Sequence, residues 1–332
     1  MSAPLTVSVA LCTYNGARFV EEQVRSIALQ TFPPMEIVLS DDASTDDGIA
    51  LARASLDACL RERPGLSIAL RVLRNTSSLR VTKNFEQAAR ACSGDLIALC
   101  DQDDVWQPDR LARMVAEFAA RPDLLLLHTD ARLVDSQRRD LGQTLFHALE
   151  VQRFELDWIH AGRAFDVFLR RNLVTGATTV FRRTLLASAV PFPKEWVHDE
   201  WLAIVASAIG GVDVIEDALI DYRQHENNQI GARRDSFMGK VRKALASRGT
   251  THADRAFKAQ LLLDRLVTLG NAVAPDTIRK LRDKLVHQRF RAALPPSRLA
   301  RCLPVLREAM TGRYDKFGRG VRGVVRDLFE SV

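Results

Sequence analysis

Apolar residues in the first two thirds of the chain follow two alternating patterns. Short, nearly unbroken runs (Val7-Ser8-Val9-Ala10-Leu11-Cys12, Glu36-Ile37-Val38-Leu39-Ser40, residues 67–73 and Leu96-Ile97-Ala98-Leu99-Cys100) read as strands buried in a sheet. Between them, apolar positions recur at helical spacing. Phe19, Val20, Val24, Ile27 and Ala28 form one such set before Pro33-Pro34, and residues 47–61 and 82–91 form two more. This strand–helix alternation predicts right-handed βαβ units around a mostly parallel sheet. Further on, residues 124–127 read as a very apolar strand, and 158–169 as a helix. Gly176 marks a turn into another strand, and Leu202, Val205, Ala206 and Ile209 form a helix that opens near Asp199. Beyond Gly231 the pattern is helical, with breaks at Gly249, Pro275, Pro295-Pro296 and Pro304.

Polar residues collect where the strands end: Thr13, Tyr14 and Asn15 after the first, Asp41 and Asp42 after the second, and Asp101, Asp103 and Asp104 after the fourth. Ligands of open α/β sheets bind outside the carboxyl ends of strands, so neighbouring strands would bring these clusters to one crevice. Three carboxylates within four positions repel one another unless a cation or hydrogen bonds neutralise them. Oxygen ligands of this kind suit Mg²⁺ or Mn²⁺ together with substrate phosphates. The alternative is a polar loop capping the helix that starts near Pro108. Tyr14 offers a face on which a base can stack, and Asp42 offers an acceptor for a base N–H. No P-loop is present. The string Gly318-Arg-Gly320-Val-Arg-Gly323 follows no strand and is no dinucleotide fingerprint.

Composition narrows the partners. The 332 residues carry a net charge of +6, but residues 233–332 hold 23 Lys/Arg against 9 Asp/Glu, leaving 24 against 32 in residues 1–232. The acidic front is unsuited to non-specific nucleic-acid binding, whereas the basic tail favours anionic partners. The five cysteines show no metal or disulfide spacing, and neither a signal sequence nor a membrane-spanning run is evident, which points to the cytoplasm. In the last segment Phe317, Val321, Val324, Val325, Leu328 and Phe329 share one side, opposite Arg319, Arg322 and Arg326. That side is expected to pack on the protein's own core, with docking on a membrane surface as the alternative.

Cys12-Thr13-Tyr14-Asn15-Gly16, Gln30-Thr31-Phe32, Leu39-Ser40-Asp41-Asp42-Ala43-Ser44-Thr45-Asp46 and Asp101-Gln102-Asp103-Asp104-Val105-Trp106 occur in this order and at these distances in family 2 glycosyltransferases. The resemblance runs from about residue 7 to 231 and is to the rhamnosyltransferase-like branch. It implies a GT-A fold over residues 1–232, followed by a basic helical region over 233–332. It further implies inverting, metal-dependent transfer from a nucleoside diphosphate sugar (dTDP-L-rhamnose or a UDP-sugar) to a saccharide or lipid-linked hydroxyl acceptor. The expected setting is surface polysaccharide assembly on the inner face of a bacterial membrane.

By the same resemblance Thr13, Tyr14, Asn15 and Asp42 hold the nucleotide, and Asp101 lies near the ribose and phosphates. Asp103 and a C-terminal histidine, His225, hold Mn²⁺ or Mg²⁺, with Asp104 as a further ligand or support. Asn75 and Asn84-Phe85 match a loop and helix start of the family, although the glycine that the family has in that loop is absent here; Arg80 or Lys83 is a candidate pyrophosphate contact, and Asn84 a candidate donor-site residue. Arg223 is a candidate pyrophosphate contact. Asp199 matches the general base, although Glu200 replaces a tryptophan of that motif and either acid could face the acceptor. A sugar nucleotidyltransferase and a non-catalytic sugar-nucleotide binder remain the alternatives.

Overall fold

The computed structural model describes residues 4–225 and 251–330. Nine strands form one sheet: β1 (Val7–Thr13), β2 (Glu36–Asp41), β3 (Ala69–Arg74), β4 (Leu96–Cys100), β5 (Val105–Trp106), β6 (Leu124–Val134), β7 (Asp140–Thr144), β8 (Val180–Arg182) and β9 (Gly211–Arg223). Their order is β3-β2-β1-β4-β8-β6-β9-β5, with β7 paired to β6. The long ladders, β3-β2-β1-β4 and β6-β9, are parallel, while the antiparallel ones are two or three residue pairs long. This is the expected mixed α/β, GT-A-like architecture.

In chain order the helices up to residue 209 are α1 (Val20–Ala28), α2 (Gly48–Glu62), α3 (Arg80–Ala91), α4 (Arg110–Ala120), α5 (Leu145–Ala148), α6 (Arg153–His160), α7 (Ala164–Phe168), α8 (Leu186–Ala189) and α9 (His198–Ile209). Strands β1, β2 and β4 are buried along their whole length, as their unbroken apolar runs require. Helix α1 turns Val20, Val24, Ile27 and Ala28 inward, and α4 does the same with Leu111, Met114 and Phe118. Each of these side chains larger than alanine contributes on the order of 1.5–3 kcal/mol by leaving water.

Three elements depart from expectation. Strand β6 runs for eleven residues because His128, Thr129 and Asp130, though polar, are buried and paired with β9. The helix expected over 158–169 is two helices, α6 and α7, divided at Gly162, whose φ of 72° is the left-handed conformation that ends helices. Pro304 does not break the chain but lies inside a helix, described next.

By internal contacts the described residues divide into two units, 4–162, 173–206 and 210–225 in one, and 163–172, 207–209 and 251–330 in the other. The expected boundary at 232 and the last residues of the resemblance, 226–231, lie outside the described residues. The second unit contains α10 (Thr251–Thr268), α11 (Pro275–Ala292), α12 (Arg298–Met310), α13 (Arg313–Phe317) and α14 (Val321–Phe329). Its small core joins Leu294, Val305 and Tyr314 with Phe290, Ala309, Val324 and Leu328. Helix α12 continues through Pro304 because its neighbours are anchored. Val305 is fully buried, and the Arg301 guanidinium donates to the backbone carbonyls of Pro295, Pro296, Asp327 and Glu330 at 2.6–3.2 Å.

Beside this core, Arg291 grips Asp327 through two hydrogen bonds (2.7 and 2.5 Å), Tyr314 donates to the same carboxylate at 2.7 Å, and His252 meets Glu330 at 3.0 Å. His252, Asp327 and Glu330 have ligand atoms within 4.8 Å of one another, but the arginine on Asp327 makes the group an ion-pair network rather than a cation site. Among the described residues no helix is long and apolar enough to cross a membrane.

Candidate active site

Strand register brings the three polar clusters together. Thr13 lies opposite Asp41 and Leu11 opposite Cys100, so residues 13–15, 41–42 and 101 emerge side by side from β1, β2 and β4. Gln102 ties the first cluster to the third: its Oε1 accepts from Tyr14 N at 2.7 Å and its Nε2 donates to Tyr14 O at 3.1 Å. A Cβ on Gly16 would fall 2.3 Å from that Oε1, so the glycine makes room for the amide clamp. The Tyr14 ring stays 50% exposed, presenting an aromatic face at the strand end. Asn15 takes a left-handed φ of 49°, donates its N–H to Ser44 Oγ at 2.9 Å, and accepts from Thr45 N at 3.0 Å.

Several residues expected at the donor face inward instead. Thr13 Oγ1 donates to Asp41, whose carboxylate also holds the Ser44 backbone and hydroxyl. The Asp42 carboxylate accepts four hydrogen bonds, from Asn75 Nδ2 (3.1 Å), Ser78 Oγ (2.6 Å), Leu79 N (2.6 Å) and Arg80 N (3.0 Å). Two bonds per oxygen fill its acceptor sites, so in this structure Asp42 anchors the 75–80 loop rather than offering an acceptor to a base. With no glycine in that loop, the left-handed position falls on Arg80, φ 65°. Asn84 bonds Ser40 and Asn75 and is buried, while Lys83 pairs with Glu86 at 2.6 Å.

The acidic turn is completed by the end of β9. His225 Nε2 lies 2.7 Å from Asp103 Oδ2, and Arg223 N donates to Asp104 Oδ1 at 2.9 Å. Asp104 is buried, its Oδ2 has no hydrogen-bond partner, and burial beside Asp103 and Asp101 holds its carboxyl well above the usual range. Asp101 is pushed up to about 7, first by burial, then by the charges of Asp103 and Asp199. A carboxylate and an imidazole nitrogen in contact, amid acids that a cation would relieve, fit a divalent metal.

Arg223 does not reach outward as a pyrophosphate contact would. Its side chain is buried, and it donates to the Asp103 carbonyl (2.7 Å), the Ser136 carbonyl (2.8 Å) and Glu22 (2.5 Å), with the guanidinium 4.6 Å over the Phe19 ring. The Phe19 ring also packs against His225 at 5.0 Å. A lysine cannot reproduce this fork. Arg223→Lys is expected to lower stability by about 2 kcal/mol, discounted because Glu22 is half exposed, and to weaken Mn²⁺ binding. Urea denaturation and a Mn²⁺ titration check this; wild-type values in both would refute a positioning role.

Asp199 opens α9 and is almost fully buried. Its Oδ2 accepts from Gly176 N at 2.8 Å and its Oδ1 from Glu200 N at 2.6 Å. Burial pushes its carboxyl up to about 6; those two N–H groups oppose the shift, and the Glu200 charge adds to it. His198 is buried and stacks on Phe85 at 3.9 Å, and its Nε2 lies 2.6 Å from where a Cβ on Gly176 would be, so the glycine lets its own N–H reach Asp199. Gln102, Phe19, Glu22 and His198 are not identifiable as site residues from sequence. Gln102 is the variable middle position of its motif, and the contacts of the others join distant segments.

The sheet order, with the acidic turn at the strand ends, defines a GT-A-like fold. The chain belongs to glycosyl transferase family 2, whose sequence profile matches residues 8–187. An uncharacterized protein of Mycobacterium tuberculosis is 26% identical over 222 residues, 66% of this chain and 59% of the relative's length. An uncharacterized glycosyltransferase of Nostoc sp. is 24% identical over 233 residues, 69% of this chain and 68% of its own. Staphylococcus aureus TarS 1–349, solved with UDP-GlcNAc, shares the fold at a TM-score of 0.51 and 20% identity, covering 97% of this chain and 90% of that 1–349 chain.

Proposed function

We propose that this protein transfers a sugar, with inversion, from a nucleoside diphosphate sugar to a hydroxyl acceptor, with Asp199 as general base. The observation that carries the reading is a buried carboxylate with a raised pKa at the same strand-end crevice as the acidic turn, near enough for its charge to act on Asp101. Asp103 and His225 would hold Mn²⁺ or Mg²⁺, which when bound supplies charge that neutralises the diphosphate leaving group. Tyr14 stacks on the base, Asn15 flanks it, and Asp101 faces the ribose and phosphates. Thr13, Asp42, Lys83, Asn84 and Arg223 shape this site from behind. Asp199 takes the acceptor proton as the hydroxyl attacks the anomeric carbon opposite the leaving group.

The donor is dTDP-L-rhamnose or a UDP-sugar, the latter in keeping with the nucleotide bound to TarS. The acceptor is a saccharide or lipid-linked hydroxyl, in surface polysaccharide assembly in the cytoplasm. The base must be ionised to work, so transfer should rise with pH through the value at which Asp199 loses its proton. The acid limb of log kcat/KM is expected near pH 6, flattening above it, whereas an ordinary aspartate would place it near about 4. A pH–rate profile tests this, and a rate independent of pH from 5 to 7 would remove Asp199 from the role.

A further inference from the structure

Helix α12 buries one side and exposes an apolar stripe on the other. Arg301, Val305 and Glu308 face the unit's interior and are buried. At about 100° per residue, Leu299, Leu303, Leu306 and Met310 fall within an arc of roughly 60° on the opposite side. They are 87%, 57%, 55% and 82% exposed. Isolated exposed leucines are ordinary on a protein surface, but a stripe three turns long is not. On α14 the expected core-facing side is split: Val324 and Leu328 pack on the core, while Val321, Val325 and Phe329 stay exposed at 75%, 47% and 54%.

Charge is sorted as sharply as hydrophobicity. Of the acids in residues 298–330, Glu308, Asp327 and Glu330 are buried and bonded to His287, Arg291 and His252 respectively, leaving Asp315 exposed. Arg298, Arg307, Lys316, Arg319 and Arg322 are exposed, and among the described residues none of them makes an ion pair. Arg298 and Arg307 flank the α12 stripe on either side. Helices lying in a membrane interface combine an apolar stripe with arginines beside it that reach anionic headgroups. A second copy of the chain would bring like-charged rims together.

We propose that the exposed face of α12 docks the protein peripherally on an anionic phospholipid surface, with Leu299, Leu303, Leu306 and Met310 entering the headgroup layer. The inference stands independently of the transferase reading, because it concerns the second unit alone and its test measures no turnover.

The test is flotation of the full chain with vesicles of phosphatidylcholine containing about one third phosphatidylglycerol, against vesicles of phosphatidylcholine alone. Binding is expected to the anionic vesicles and to weaken with salt. Leu303→Glu/Leu306→Glu should lower it at least about tenfold. Arg298→Ser/Arg307→Ser should lower it by about fivefold per arginine. All four positions are exposed, so the thermal melt should be unchanged, and the two pairs check each other should one fold poorly. Equal partition to both vesicle types, or binding that neither pair reduces, would overturn the proposal. So would a dimer in sedimentation velocity that the leucine pair dissolves, since the face would then join two copies.

Discussion

Asp199→Asn is expected to lower transfer roughly a hundred- to ten-thousand-fold while leaving donor affinity within a few-fold of wild type. Asparagine keeps the volume and can still accept from the Gly176 or Glu200 N–H, but it cannot take a proton at neutral pH. The loss should therefore fall on kcat. Glu200→Gln serves as the comparison. Glu200 raises the Asp199 carboxyl electrostatically, so its neutralisation should shift the acid limb of the pH profile downward and leave the plateau nearly intact. The opposite ranking, with Glu200→Gln inactive and Asp199→Asn active, would transfer the base role to Glu200. Steady-state kinetics with saturating donor and varied acceptor separates the two.

Asp103→Ala is the second large effect. It removes the carboxylate in contact with His225 and leaves Asp104 in place, whose Oδ1 is already held by the Arg223 N–H. A metal acting on a leaving diphosphate contributes several kcal/mol, so a loss of about a thousandfold is expected. Chelation of the wild-type protein should produce a loss of similar size. The variant's donor binding, followed by thermal shift, should no longer respond to added Mn²⁺. An equal Mn²⁺ response in variant and wild type would place the cation elsewhere.

The sheet was legible because β1, β2 and β4 are buried on both faces and therefore carry unbroken apolar runs, with acids or polar turns directly after them. Elements without that contrast escaped. Strand β7 is polar and exposed, β5 is two residues long, and the continuation of β6 hides buried polar residues. Within the site, the motifs single out Asp101, Asp103 and Asp199 as candidates but say nothing of the direction in which their neighbours point. Asp42 and Arg223 read as ligand contacts because charged residues at strand ends usually meet solvent or substrate. Their bonds to the Leu79 and Arg80 backbone and to the carbonyls of Asp103 and Ser136 depend on loops brought close only by folding. The α12 stripe escaped for a different reason: Pro304 reads as a break, and a four-residue stripe divided by a break has no visible period.

The central claim is sugar transfer from a nucleoside diphosphate donor, and the most direct measurement is the phosphorus-containing product. The protein is incubated with Mn²⁺ and a panel of UDP-, dTDP- and GDP-sugars plus candidate acceptors, and free nucleoside diphosphate is quantified. Release from at least one donor by the wild-type chain is expected, at rates cut to background in Asp103→Ala and Asp199→Asn. Release undiminished in both variants, or pyrophosphate formed from a nucleoside triphosphate and a sugar phosphate, would contradict it.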